Sequence, residues 1–137
     1  MVTPHLVKQI NYDDGTTREV QYPKGAQVWS EETSETVSRM LTVVVDEALR
    51  GGGVALPNHT ISAKTGTAQI SNPDGGYYDD RYLHSFFGYF PSYDPKFIVL
   101  LYTVEPKGVE YASETLTTPF MDVTKFLINY YNIPPDR

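Results

Sequence analysis

One short run of the chain places a cation, two hydroxyls and a glycine at neighbouring positions: Lys64-Thr65-Gly66-Thr67-Ala68-Gln69. It follows the β-prone stretch Thr60-Ile61-Ser62-Ala63, so we expect a strand to present it. A lysine ammonium attracts a carboxylate, and threonine hydroxyls donate hydrogen bonds to one. The glycine lets a ligand lie against the backbone because it has no side chain. These groups predict a strand edge that holds an anionic acyl donor.

The polar residues also have simpler interpretations. Taken without its flanks, the run is also typical of a solvated strand end or turn. Gln69 is either a substrate contact or a polar residue on the outer face of its strand. The three histidines lack the spacing of metal ligands, so neither a metal site nor a cofactor is predicted: His5, His59 and His84.

Length and composition limit the class of protein. A chain of 137 residues is one domain or a part of one. The hydrophobic content of 40% and aromatic content of 13% suit a packed core, and the net charge of -6 argues against a nucleic-acid partner. The absence of cysteine excludes disulfides and thiolate metal sites. No apolar run is long enough for a membrane span, and the stretch after Met1 lacks the pattern of a signal peptide.

The first half of the chain predicts a hairpin and a helix that precede the motif. Asp14-Gly15 marks a turn within a β-hairpin over residues 6–22. Ser30 is a helix cap, and the glycines at 51–53 end a helix over residues 30–50. Helical spacing predicts that its buried face consists of Val37, Met40, Leu41, Val44 and Ala48.

The second half predicts three strands and a final helix. The motif strand covers residues 61–70, a long loop covers 71–83, and further strands cover 84–90 and 97–104. The last of these is an almost continuous apolar run, which favours a central strand buried on both faces. A helix follows with Pro119 in its first turn and a buried face of Leu116, Phe120, Val123, Leu127 and Tyr130. The predicted fold class is α+β, an antiparallel sheet with flanking helices.

The motif and its flanks resemble a known family. K-T-G occurs with S-x-x-K and S-D-N in penicillin-binding proteins and β-lactamases. From about Val2 to its end, the chain resembles the C-terminal part of class B penicillin-binding protein transpeptidase domains. Four ordered flanks carry this resemblance besides the longer K-T-G-T-A-Q form: residues 84–91, residues 94–99 with 105–107, Thr118-Pro119-Phe120, and Asn132-Ile133-Pro134-Pro135.

The resemblance implies an activity and a place of action. The family cross-links peptidoglycan through a serine acyl-enzyme, acts in the periplasm or outside the cytoplasm, and is anchored in the membrane. Its partners are the peptidoglycan stem peptide and β-lactams. The residues that would bind substrate are Lys64, Thr65, Gly66, Thr67 and Gln69, and the backbone N–H of Thr67 would be an oxyanion donor.

The sequence departs from the family pattern in its catalytic motifs. None of its serines begins an S-x-x-K, it has no S-x-N, and its only Y-x-N is Tyr130-Tyr131-Asn132. Residues 1–137 are therefore predicted to be the C-terminal portion of a transpeptidase domain, without the nucleophile serine and base lysine, and inactive alone. Apolar surface left uncovered in such a portion would favour self-association.

Two other classes of function stay open. One is a non-catalytic β-lactam sensor or a β-lactamase-like domain, which shares the motif on the same fold. The other is a non-enzymatic module that binds a partner. The sequence before this chain would separate them, because the transpeptidase requires S-x-x-K and S-x-N there.

Overall fold

The computed structural model of the chain describes residues 3–137, so Met1 and Val2, where the resemblance begins, lie outside the described residues. The chain divides after Ser34 into two compact units. No helix among residues 3–137 is both long enough and apolar enough to cross a membrane.

The first unit contains the predicted hairpin. Strand β1 (Gln9–Asn11) pairs in antiparallel register with β2 (Thr17–Glu19), and both are shorter than the sequence indicated. Gly15 has a φ of 84°, which suits glycine in a tight turn. The Asp14 carboxylate accepts hydrogen bonds from the hydroxyl and the backbone N–H of Thr16, which hold the pKa of Asp14 below its usual value. The predicted turn is therefore confirmed.

The second unit is built around a three-stranded antiparallel sheet. Its strands are β3 (Ser62–Ser71), β4 (Tyr77–Phe90) and β5 (Phe97–Val104), in that order across the sheet. The short helix α2 (Ala112–Thr115) and the longer α3 (Thr117–Tyr130) follow. The Phe120 ring of α3 stacks on Phe86 of β4, with 4.3 Å between ring centroids. The predicted α+β class is confirmed, and we name the side of the sheet under α2 and α3 the helix face and the other side the open face.

Strand β4 begins much earlier than the sequence indicated. Residues 71–83 were expected to form a long loop, but the strand starts at Tyr77 and the turn takes only residues 72–76. The N–H of Asn72 donates to the carbonyl of Gly76 at 3.0 Å, and Gly75 and Gly76 both have positive φ. The expectation was wrong because these glycines form a tight turn, and the tyrosines after them favour a strand.

Strand β5 was expected to be central and buried on both faces, which is also wrong. It lies at one edge of the described sheet, and every second side chain is exposed. Leu100 is 61% exposed and lies opposite Phe87 of β4 on the open face. Within residues 3–137 no element covers this part of the sheet, so an apolar run here does not mean burial on both faces.

Helix α1 (Glu31–Val43) continues as a π-helical turn (Val44–Ala48) and ends in a 3-10 turn (Leu49–Gly52). The Ser30 hydroxyl accepts a hydrogen bond from the N–H of Thr33, which confirms the predicted cap. The predicted buried face is wrong: Met40 is 62% exposed, and Val37 and Ala48 are also exposed. The residues that are buried instead lie three and four apart: Ser38, Thr42, Val45 and Leu49.

Buried hydroxyls explain this difference. Thr42 Oγ1 lies 2.8 Å from Ser92 Oγ and 3.1 Å from Ser62 Oγ, at the start of the motif strand. Ser38 Oγ lies 2.8 Å from the Tyr89 hydroxyl of β4. Because each hydroxyl has a partner, a polar helix face can be buried without a large desolvation penalty. A rule based on apolar periodicity cannot recognise such a face.

The buried face of α3 is also displaced from the predicted one. Phe120 is buried as expected, whereas Val123 and Tyr130 are exposed. The positions actually buried include two threonines. The hydroxyl of Thr117, the first residue of α3, donates to the carbonyl of Ser113 in α2 at 2.6 Å. The buried residues are Thr117, Phe120, Met121, Thr124 and Ile128.

The last residues of the chain hold the start of the motif strand. The Asp136 carboxylate accepts hydrogen bonds from both the backbone N–H and the hydroxyl of Thr60. Arg137 forms an ion pair with Asp46, with Nη1 2.5 Å from Oδ2, and donates to the carbonyl of Leu56. These contacts fix the position at which the chain enters β3.

Candidate functional site

The motif occupies the middle of an edge strand. Residues Lys64 to Gln69 lie in β3, which pairs with β4 on one side and with no strand among residues 3–137 on the other. An unpaired edge offers backbone N–H and C=O groups to an extended ligand. The predicted placement on a strand edge is therefore confirmed.

Lys64 and Gly66 lie on the open face of the sheet, opposite Phe87 and Ser85 of β4. The Lys64 ammonium donates to the carbonyl of Thr65 at 2.9 Å and forms no ion pair with an acidic side chain in the described part of the chain. Its positive charge is therefore not neutralised by a neighbouring carboxylate, as an anion-binding role requires.

Gly66 is restricted by its neighbour on β4. A Cβ atom at this position would lie 2.6 Å from the Ser85 hydroxyl oxygen and 3.9 Å from Ser85 Cβ. From the sequence, the approach of a ligand was the only reason found for a glycine at this position. The structure adds a second reason, since a side chain at position 66 would displace the Ser85 hydroxyl.

Thr65 and Thr67 lie on the helix face, and their surroundings differ. The N–H of Ala112, at the start of α2, donates to Thr67 Oγ1 at 3.0 Å. That bond uses one lone pair of the Thr67 oxygen and leaves its hydroxyl hydrogen available for an anionic acceptor. Within residues 3–137 the half-buried Thr65 hydroxyl has no hydrogen-bond partner.

Gln69 lies near the end of the strand and contacts β4. Its side-chain amide donates to the carbonyl of Tyr78 at 3.2 Å, which links the strands close to their connecting turn. This hydrogen bond stabilises the hairpin of β3 and β4. It uses the side-chain nitrogen of Gln69 and does not involve the side-chain oxygen.

His84 is a residue that sequence reasoning missed. It lies directly opposite Thr67 on β4, on the helix face, and is completely buried. Its Nε2 atom lies 2.8 Å from the carbonyl oxygen of Glu110, and its Nδ1 atom lies 2.9 Å from Thr115 Oγ1. From the sequence, His84 was considered as a metal ligand and as the first residue of a flanking strand, whereas its position opposite Thr67 in the sheet would have been the useful signal.

The segment before α2 places polar groups next to the motif. Tyr111 is 56% exposed and immediately precedes Ala112, whose N–H bonds to Thr67. A hydrogen bond to Glu110, together with its negative charge, raises the pKa of the Tyr111 hydroxyl above its usual value. The tyrosine is therefore a neutral hydroxyl at physiological pH.

These groups lie along one unpaired strand edge, beside an extended backbone. The cation, the two threonine hydroxyls and the unpaired strand edge suit the carboxylate end of a peptide. Among residues 3–137 no serine hydroxyl is hydrogen-bonded to a lysine, so the described chain shows no activated serine of that kind.

The sequence matches a family model described as the penicillin binding protein transpeptidase domain over residues 1–124. It is 32% identical to penicillin-binding protein PbpB of Mycolicibacterium smegmatis, in an alignment that covers 97% of this chain and 22% of PbpB. It is also 32% identical to peptidoglycan D,D-transpeptidase FtsI of Buchnera aphidicola, covering 80% of this chain and 19% of FtsI. The chain thus spans about a fifth of the length of these relatives.

Solved structures of the same class have a similar fold. Apo penicillin-binding protein 3 of Mycobacterium tuberculosis superposes with a TM-score of 0.79 at 28% identity, covering 95% of this chain and 31% of that protein. Its complex with ampicillin gives a TM-score of 0.78 at 28% identity, covering 94% of this chain and 30% of that protein. The family match, the named relatives and the fold agree, and the chain therefore belongs to the transpeptidase domain family of class B penicillin-binding proteins.

Proposed function

We propose that the chain is the substrate-binding, C-terminal portion of a peptidoglycan D,D-transpeptidase domain. The observation that carries the proposal is the motif's position on an unpaired strand edge, with the Lys64 charge not neutralised and the Thr67 hydroxyl hydrogen available. In the complete protein, a serine nucleophile and a lysine base would come from a part that precedes this chain. The lack of S-x-x-K and S-x-N in the sequence supports that division of roles.

The roles of the motif residues follow from their chemistry. Lys64 raises the positive potential at the edge of β3, and the hydroxyls of Thr65 and Thr67 donate to the terminal carboxylate of a stem peptide or to the carboxylate of a penicillin. Gly66 leaves room for the ligand, and Gln69 contacts it farther along the strand. The N–H of Thr67 is one of the oxyanion donors that stabilise the tetrahedral intermediate of serine acyl transfer.

The place of action follows from the same assignment. A protein that cross-links peptidoglycan works outside the cytoplasm, in the periplasm where there is one, and a membrane anchor keeps it near its substrate. The similarity to PbpB and FtsI supports this. The named complexes of the Mycobacterium tuberculosis protein with ampicillin and aztreonam support β-lactams as partners.

Labelling with a fluorescent penicillin tests the proposal. We expect the full-length protein that carries this chain to form a covalent band that survives boiling and electrophoresis, and the isolated chain to remain unlabelled because it has no paired serine and lysine. Lys64→Ala in the full-length protein should slow acylation by a factor that corresponds to about 1.5–3 kcal/mol, with little change in melting temperature. Labelling of the isolated chain would contradict the assignment of the nucleophile to a preceding part.

Variants of Thr67 separate its two roles. Thr67→Val should also slow acylation, but it leaves the buried N–H of Ala112 without its acceptor, so we expect it to lower stability as well. Thr67→Ser is the matched control because it retains the hydroxyl. If all of these variants lose acylation only in proportion to lost stability, the motif is structural and the proposed binding role fails.

The open face supports a proposal about the isolated chain. Exposed apolar side chains from two strands are adjacent there, and we propose that the complete domain covers them. The patch is formed by Phe87, Ile98, Leu100 and Tyr102. Alone, the chain should self-associate through this patch, and light scattering at increasing concentration would detect it. Leu100→Lys should shift the equilibrium toward monomer, and a monomeric chain at high concentration would contradict the proposal.

A further inference from the structure

The imidazole of His84 is buried, and it contacts the turn around Ala112 at a residue before Ala112 and at a residue after it. Nε2 lies 2.8 Å from the Glu110 carbonyl, which accepts hydrogen bonds but cannot donate them. Nε2 must therefore carry a proton in this bond. In the neutral ring Nδ1 is then an acceptor. The Thr115 hydroxyl lies 2.9 Å from Nδ1 and 3.3 Å from the Ala112 carbonyl, and its single hydrogen goes to the nearer acceptor, Nδ1.

The same turn touches the motif at one point between those two bonds. Ala112 follows Glu110 and precedes Thr115 in the chain, and its N–H donates to Thr67 Oγ1 at 3.0 Å. His84 is also the residue directly opposite Thr67 in the pairing of β3 with β4. One ring therefore fixes the turn on both sides of the N–H that contacts the motif hydroxyl.

This contact determines what the Thr67 hydroxyl can do. A hydroxyl has one hydrogen, and Oγ1 already accepts the hydrogen of Ala112. A substrate carboxylate can only accept hydrogen bonds. It can therefore receive the Thr67 hydrogen, because the turn uses Oγ1 as an acceptor and does not compete for that hydrogen. If the turn moved away, Thr67 could rotate and its hydroxyl would no longer be fixed as a donor at the strand edge.

We propose that His84 is a positioning residue for acylation: by holding residues 110–115 against β4, it keeps the Ala112 N–H on Thr67 Oγ1 and so orients the Thr67 hydroxyl as a donor to the substrate carboxylate. The inference rests on the proposed function, because it needs Thr67 to contact substrate. His84 itself touches neither substrate nor the reacting atoms.

The test is a double-mutant cycle on the acylation rate of the full-length protein that carries this chain, with fluorescent penicillin as the probe. His84→Phe keeps an aromatic ring but removes both hydrogen bonds, and it should slow acylation about two- to tenfold. In a Thr67→Val background the same change should have almost no further effect, since the hydroxyl that it positions is absent. If both substitutions acted only by lowering stability, their fold-losses in acylation rate would multiply in the double variant.

His84→Gln is the conservative variant. A glutamine amide can replace the Nε2–H donor to Glu110, so we expect it to recover most of the acylation rate that His84→Phe loses. Amide hydrogen exchange of the same proteins should show faster exchange across residues 110–116 in His84→Phe, while the amides of β5 stay protected.

The outcomes separate this inference from the function on which it rests. If the wild-type full-length protein is not labelled, the proposed function fails, and this inference fails with it. If the wild type is labelled but the losses from His84→Phe and Thr67→Val multiply, the function stands and the positioning role of His84 is overturned. Unchanged exchange across residues 110–116 in His84→Phe would overturn it as well.

Discussion

Gly66→Val in the full-length protein is expected to abolish acylation by penicillin and to lower the melting temperature. The added side chain stands on the open face, where a Cβ atom would lie 2.6 Å from the Ser85 hydroxyl oxygen. The branched carbons extend the obstruction toward the edge at which we propose that the ligand lies. Acylation rate and thermal unfolding, measured on the same preparation, provide the two readouts.

Ser85→Ala in the same molecule separates these two effects. It removes the colliding oxygen and leaves Ser85 Cβ at 3.9 Å from the new Cβ, an ordinary contact distance. We expect the double variant to regain most of the lost melting temperature but not the acylation. Recovery of both would mean that Gly66 is required only for packing between β3 and β4, and a ligand contact at this glycine would then be rejected.

Gly88→Ala is expected to destabilise the protein by about 1–3 kcal/mol, which is the usual cost of overpacking a core. A Cβ at this position of β4 would lie 2.8 Å from the Ala63 side chain and 2.9 Å from the carbonyl of Ser62, and closer still to the ring of Phe120. Urea unfolding measures the change. Two of these three neighbours belong to the motif strand β3. The overpacking can therefore be relieved on that side only if β3 moves away from β4.

The double variant Gly88→Ala with Phe120→Leu is the control. Leucine lacks the ring atom that meets the new methyl group, so the combined loss should be smaller than the sum of the single losses. Additive losses, or an unchanged urea midpoint for Gly88→Ala, would show that the Phe120 ring does not lie over Gly88.

The motif strand and the fold class could be predicted because several local signals agree there. The run from Ile61 to Ile70 is β-prone, a turn with two glycines follows it, and the apolar strand of residues 97–104 was located at its observed bounds. These signals depend on residues that are close together in sequence. They can therefore be used for prediction when the tertiary contacts are not known.

Burial could not be predicted as well, because it depends on distant partners. The run of residues 97–104 is apolar at almost every position, yet Leu100 is exposed since no described element covers that part of the open face. Ser38 and Thr42 are polar, yet they are buried because hydroxyls of Ser62, Ser92 and Tyr89 satisfy them. The spacing of hydrophobic residues shows neither that part of a sheet face is uncovered nor that a buried hydroxyl has a hydrogen-bond partner far away in sequence.

The site shows the same division between local and distant information. The types of side chain in Lys64 to Gln69 predicted an anion-binding strand edge, and the structure places them on an unpaired strand edge. The contact of Ala112 with Thr67 joins residues far apart in sequence, and the role that we propose for His84 depends on this contact. No pattern within the motif could have revealed either residue.

The two edges of the described sheet carry different side chains. Backbone groups at the free sides of β3 and β5 are chemically alike, so hydrogen bonding alone would not tell an incoming extended chain where to add. A peptide with an anionic end gains electrostatic energy beside Lys64, whereas a neutral apolar strand gains buried area only beside Leu100 and Tyr102. Under the proposed function, these side chains would direct two kinds of extended chain to two edges whose backbone groups are alike, and substrate capture would be separated from strand-to-strand association.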